Sequence, residues 1–461
     1  MRLTILLLLL IPSLHAQNSA STCYFGTAAL DFRTFPPTPI MSSAMQGMEA
    51  PASICDANGD VLFYSNGGDS WTSIVTAGNV WNKTNQVMEN GDLQNLGGCF
   101  SSYAGSVIIP MNVSTKKSGE SNYMLITNDC LESNFSGSDH SNAGFRYCLI
   151  DMSENGGQGK VMLKDQLIYP YSNNGSFSTN HEPIAAVISS NNESYWLFGY
   201  SNDSIFSLQI NETGISNFST FFLSERSIAV SPSHDFLVTN DQLCSFDWST
   251  GEITKILTIG SNQAAFSSNG KVLYVNENGS LFQYDLTSFN ILSTKLFIAQ
   301  ISTQVNPVLA GDYRIYFYVP NSSSFPGYIA CPNTLGQSCN SVLSSISLGG
   351  KNSGSQFTNI PANLLFSHQD NCILNTNILK EEKPIIFPSI TDGTVTIVYK
   401  EMDFRSAIVY DQFGKKVLEE NWNELEHKIS LNGKASGMYY LMITSKNESN
   451  SDTINFKIVK Y

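Results

Sequence analysis

The chain has 461 residues, a formal charge of −14, nine cysteines and only 14% charged residues. The acid excess argues against a nucleic-acid partner, because a phosphate backbone selects Lys and Arg. Sparse charge beside abundant Asn, Ser, Gly, Tyr and Phe is the usage of a turn-rich β protein, not a helical one.

Met1-Arg2, the apolar run Ile5 to Ile11 and the stretch Ser13 to Ala16 read as a secretory signal peptide over 1–16, cut between Ala16 and Gln17. That run is far shorter than the roughly 20 residues that cross a bilayer, and no later stretch rivals it, so no transmembrane segment is expected. Ala20-Ser21-Thr22 before Cys23 lacks the residues of a lipobox, which argues against a lipid anchor.

Residues 17–368 alternate short β-branched or aromatic runs with Asn, Gly and Ser turns. The stretch Ile228 to Trp248 lies over Ala264 to Leu286, with Ser231 on Ser267 and Asp247 on Asp285, at an offset of 36 to 38 residues. That is close to one four-stranded propeller blade. Weaker copies start at Ile54, Val107, Ile188 and Leu309. The pattern predicts an all-β chain whose first domain is a β-propeller of seven blades. The seventh is built from both ends, with strands near Cys23–Phe32 and near Ile346–Phe366, which would remove exposed edges.

Residues 369–383 read as a linker. Over 384–461 cysteine disappears, charge becomes mixed, and five or six strands alternate tightly between turns at Asp392-Gly393, Phe413-Gly414, Asn432-Gly433 and Ser436-Gly437. A small antiparallel β-sandwich is expected there.

Nine cysteines fit an oxidising compartment and leave at least one thiol over. The candidate disulfides are Cys331 with Cys339, Cys130 with Cys148, and Cys55 with Cys99. No CxxC pair exists, so neither metal nor any other cofactor is expected.

The last segment resembles the type A C-terminal sorting domain of the type IX secretion system of the Bacteroidetes. The matching residues are Pro388 to Gly393, with Asp392 before the glycine; Val409-Tyr410-Asp411 to Gly414; Ser436-Gly437-Met438-Tyr439; and Phe456 to Lys460. The family's Tyr-Pro-Asn-Pro opening is replaced here by Phe387-Pro388-Ser389-Ile390. The resemblance implies export through both membranes by the type IX secretion machinery, to the cell surface or the medium. Residues 23–110, including Tyr24-Phe25-Gly26, Asp56 to Gly67 and Val80 to Gly91, resemble the propeller-like region of large Bacteroidetes surface proteins, among them gliding-associated ones. That resemblance supplies no catalytic residues.

The remaining motifs weigh toward structure. Asp56-x-Asn58-x-Asp60 opens like a calcium loop, but Val61 and Gly67 stand where Gly and Glu are required, so a hairpin turn is simpler. Ser53 to Phe63 faintly resembles the Asp-box turn of sialidase propellers, which would need three arginines drawn from Arg33, Arg146, Arg226 and Arg314. A glycosidase would need two carboxyls, with Asp129, Asp139, Asp151, Glu182 and Asp235 available. His140, His181, His234 and His368 sit in no metalloprotease or hydrolase motif. Trp71, Trp81 and Tyr103 could stack on sugar rings, although strand aromatics mostly fill cores. Three functions follow: a noncatalytic binding or adhesion module for an extracellular glycan or protein, a secreted glycan-active hydrolase, or a structural surface component.

Overall fold

The computed structural model describes residues 18–46, 49–68, 78–94, 96–111, 122–129, 144–168, 182–201, 204–211, 214–221, 227–260, 263–368, 385–387, 390–398, 405–422, 426–447 and 450–461. The expected signal peptide with Ala16 and Gln17, the linker, Cys130 and Pro388 lie outside the described residues. The chain divides into two compact units, Met1–Cys372 and Ile373–Tyr461.

Local turn chemistry makes the repeat of the first unit. The carboxylate of Asp247 accepts the backbone N–H (2.9 Å) and hydroxyl (2.6 Å) of Ser249. Asp285 does the same for Thr287, as the superposed sequences imply. Asp151 and Ser153 supply a third copy that the sequence comparison missed. Each Asp ends a third strand, and its side chain spends its acceptors on the turn into the fourth.

Among the described residues, six four-stranded antiparallel blades follow in chain order, over residues 52–92, 106–167, 185–221, 228–258, 264–300 and 306–342. The first two join into one eight-stranded sheet through a single parallel pairing of their outer strands, at Lys160 and Glu89, whose side chains form a 2.8 Å ion pair. A three-stranded sheet, Thr22–Phe25, Ala28–Asp31 and Thr38–Pro39, precedes them. Neighbouring blades bury apolar faces on one another. Val107 and Met124 meet Leu197 and Phe206 across one junction, and Trp196 and Phe198 meet Leu237 and Phe246 across the next. Each such side chain contributes about 1.5–3 kcal/mol of burial.

The two ends of this unit meet differently from the expected shared blade. The N-terminal strands pair only among themselves, and Ile346–Ser347 pairs with Ser324–Phe325. Residues 348–368 form no strand; Gly354 (φ +70°) and Pro361, which lacks an N–H, interrupt them. The ends are instead joined by packing and by a backbone bond outside any strand: Phe25, Phe32, Tyr316, Phe325 and Phe357 share one core, and Thr27 N–H donates to the Asn352 carbonyl (2.9 Å).

The three expected disulfides do not form. Cys55, Cys148 and Cys339 are buried thiols outside any disulfide, as are Cys23 and Cys244, while Cys99 and Cys331 are disulfide-bonded. Cys331 and Cys339 are backbone neighbours, but their side chains enter different cores. Cys55 turns its sulfur onto the backbone of Thr22 at 3.3 Å, away from Cys99. Cys148 packs among Phe63, Leu125 and Val161.

The second unit is a two-sheet sandwich. A three-stranded sheet presents Val395, Ile397 and Ile429, and a five-stranded sheet presents Val409, Leu441 and Ile458, to one core. Pairing is antiparallel except where Ile390–Thr391 runs parallel to the last strand.

Candidate functional site

Propeller blades converge on an axis, so their innermost strands must carry small side chains. Here those strands include Ala185–Ile188, Ile228–Val230, Ala264–Phe266 and Asn306–Leu309. Their alanines at 185, 186, 229, 264 and 265 leave a cavity of about 630 Å3, whose wall also includes Tyr103-Ala104 and residues of the segment 356–365.

That segment threads the axis. Asn359 donates through Nδ2 to the carbonyls of Ile184 (2.8 Å) and Ala104 (3.3 Å), and its N–H donates to the Pro51 carbonyl (3.0 Å). Four residues on, Asn363 Oδ1 accepts the N–H of Ile188 (3.1 Å). The segment therefore runs alongside the inner strand 185–188, in the same direction. It leaves at the turn after the fifth blade's inner strand, where Ser367 N–H donates to the Ser268 carbonyl (3.0 Å). Side-chain amides thus satisfy inner-edge backbone groups that would otherwise face the channel unpaired. Its apolar residues anchor in three different cores: Phe357, Leu364 and Ala362 each enter one.

The cavity wall is polar at one end and apolar at the other. Where the inner strands begin stand Glu182, Ser227, Gln263 and Asn306, joined by Tyr103 and Gln356; where they end stand Val230, Pro232, Phe266 and Leu365. Glu182 is the one charged residue among the described residues of this wall, and its carboxylate accepts the Tyr103 N–H at 2.8 Å. Burial, with the nearby Glu49 carboxylate, pushes the Tyr103 phenol up, so it stays protonated and can donate.

Of the other acids proposed from sequence, Asp129 is buried and accepts the N–H groups of Gly98 and Gly144 (both 3.0 Å), a loop clamp. Asp151 caps its turn, and Asp235 is exposed on a turn. Asp139 lies outside the described residues, as do His140, His181, Arg226 and Trp71. The three described arginines of this set each pair with different acids. Arg33 pairs with Asp31 and Asp60, Arg146 with Asp165, and Arg314 with Asp312 beneath the Phe35 ring. The Asp56 carboxylate accepts the N–H groups of Asn58 and Asp60, forming the hairpin turn. His234 stacks on Trp248 at 4.7 Å, and burial lowers it to about 4; His368 packs edge-on against Phe366. Trp81 is buried against Tyr64. Of the proposed residues that lie among the described ones, only Glu182 and Tyr103 reach the cavity. The amides Asn306 and Gln356 were missed, because nothing local marks them.

In the second unit the Asp411 carboxylate accepts the N–H groups of Phe413 (2.9 Å) and Lys415 (3.0 Å) around Gly414, whose φ is +79°. Tyr410 pairs across the sheet with Tyr440, and the Tyr439 hydroxyl donates to the Ala435 carbonyl (2.6 Å). Lys460 Nζ donates to the Lys434 carbonyl, beside the strand opened by Gly437. Asp392 is exposed, and a side chain at Gly393 would meet Asn432 Oδ1. These motif residues therefore build two tight turns and the sheet end between them.

No curated relative matches the chain. Among solved structures it is similar to the WD40 domain of SCAP from fission yeast (11% identity, TM-score 0.35, covering 96% of this chain and 85% of that one). It is also similar to the Dos1 propeller (12%, 0.32, 74% and 80%). A third is the extracellular domain of a hybrid two-component system from B. thetaiotaomicron (11%, 0.33, 96% and 56%). Residues 385–458 match the family described as the secretion system C-terminal sorting domain. No helix among the described residues is long and apolar enough to cross a membrane. The chain thus carries a propeller and a type IX C-terminal sorting domain, and it is exported through that machinery to the cell surface or the medium.

Proposed function

We propose that the propeller is a noncatalytic binding module, displayed outside the cell, whose ligand is a glycan or a protein. The observation that supports this reading is the axial cavity: about 630 Å3, within the size range of small-molecule sites, with a single carboxylate on its described wall. Glycoside hydrolysis by the usual route takes two carboxyls about 5–10 Å apart, and Glu182 is already committed to a backbone N–H. The test is to incubate the secreted protein with arrayed glycans and envelope polysaccharides, measuring retention and release of reducing ends together. Retention without release is expected. Release abolished by Glu182→Gln would establish the hydrolase instead, and neither retention nor release would reject binding.

For export, the signal peptide accounts for the inner membrane, and the sorting information lies in the folded turns at Asp411, Gly414, Gly437 and Lys460. Cells expressing a chain truncated after Lys383 should retain it in the periplasm. Abundant truncated protein in the medium would refute this assignment.

A further inference from the structure

We propose that the axial cavity is the ligand site and that it takes one neutral sugar unit, an uncharged polyhydroxylated ring held by Tyr103, Asn306 and Gln356; this rests on reading the propeller as a binding module. Asn306, Gln356 and Tyr103 are wall residues, and neither the two amides nor the phenol makes a hydrogen bond to the described protein. Elsewhere around the axis the amides are spent: Asn359 on two carbonyls, and Asn363 on the Ile188 N–H. Unspent amides on a cavity wall are donors and acceptors held ready for something else.

The kind of group follows from what these three can do. A carboxamide donates and accepts from adjacent atoms, and a phenol does both from one, which matches hydroxyl groups, themselves donors and acceptors. Among its described residues the wall offers an anion no Lys, Arg or His, and its one charge is the Glu182 carboxylate. The opposite end, with part-exposed Val230, Val308 and Leu309, suits the C–H face of a ring and not a second polar surface. Sugar rings carry both kinds of face, and a cavity polar at one end and apolar at the other orients them.

The test uses the full secreted chain in saturation-transfer NMR and calorimetry. The probes are glucose, galactose, mannose and N-acetylglucosamine, with glucuronate and glucosamine as charged counterparts. At least one neutral sugar should bind and glucuronate should not. Asn306→Ala and Gln356→Ala should each weaken binding about three- to tenfold, the loss of one hydrogen bond. Ala264→Phe, which fills the cavity, should abolish it. Circular dichroism and a thermal melt verify folding; should Ala264→Phe fail to fold, Gln356→Trp, a bulky side chain on a part-exposed position, takes its place and should also block binding. The proposal falls if no neutral sugar binds, if only glucosamine binds, or if binding is unchanged in the folded variants. Glycan retention on the array that persists unaltered in these variants would overturn the cavity as the site while leaving the binding module standing. Loss of both signals in the wild type would reject the two together.

Discussion

Replacing Phe357 by Ala tests whether the threading segment closes the propeller. Phe357 is 4% exposed. Its ring centroid lies 4.9 Å from that of Phe25, 6.1 Å from Tyr318, and 6.4 Å from both Phe32 and Phe325, so it touches the N-terminal sheet and the last blade at once. Truncating a buried Phe costs about 3–5 kcal/mol through lost transfer energy and the cavity left behind. The chain just after it is pinned, the Thr358 hydroxyl to that of Ser53 and the Asn359 N–H to the Pro51 carbonyl, so the site relaxes little and the loss should be about 4 kcal/mol. Four of the five tryptophans, Trp71, Trp81, Trp196 and Trp248, lie in the first unit, so urea melts of the full chain followed by tryptophan fluorescence report mainly on it. Phe289→Ala, at a fully exposed position, is the control and should change stability by under about 0.5 kcal/mol. A Phe357→Ala loss below about 1 kcal/mol would show that the segment is carried by the ring without closing it.

Cys23, Cys55, Cys148, Cys244 and Cys339 should resist iodoacetamide in the native protein and react on unfolding without reductant. Burial pushes Cys55 and Cys244 up to about 12 and Cys148 to about 11; mass spectrometry showing rapid native labelling of any of the five would contradict their placement. Gly414→Ala should destabilise the sorting domain by about 1–2 kcal/mol, since only the backbone conformation opposes the side chain and space is open, and Gly414→Asn should cost less. Equal melting points for the two variants would speak against this account. His234 is lowered by burial to about 4, so the unfolded chain binds more protons between pH 4 and the ordinary histidine value of 6.5. Its contribution to stability is complete above pH 6.5 and is lost as the pH falls toward 4. His234→Phe should flatten that part of the pH profile, and an unchanged slope would refute the assignment.

The turns, the repeat and the sorting motifs were legible in the sequence because each rests on residues a few positions apart. Asp247 and Ser249, or Asp411 and Lys415, meet whatever the rest of the chain does. An alternating pattern of apolar residues likewise settles strand and sheet without knowledge of neighbours. The axial site was not legible. Asn359 finds Ala104 across 255 residues and Ile188 finds Asn363 across 175, and no local pattern distinguishes these asparagines from the many that merely turn the chain. Cysteine pairing failed for the same reason: Cys331 and Cys339 are close in sequence and in backbone, but which core each sulfur enters depends on the faces that the packed blades present. Short-range chemistry fixed the elements, whereas the cavity, its amides and its closure came into being only when distant inner strands converged on one axis.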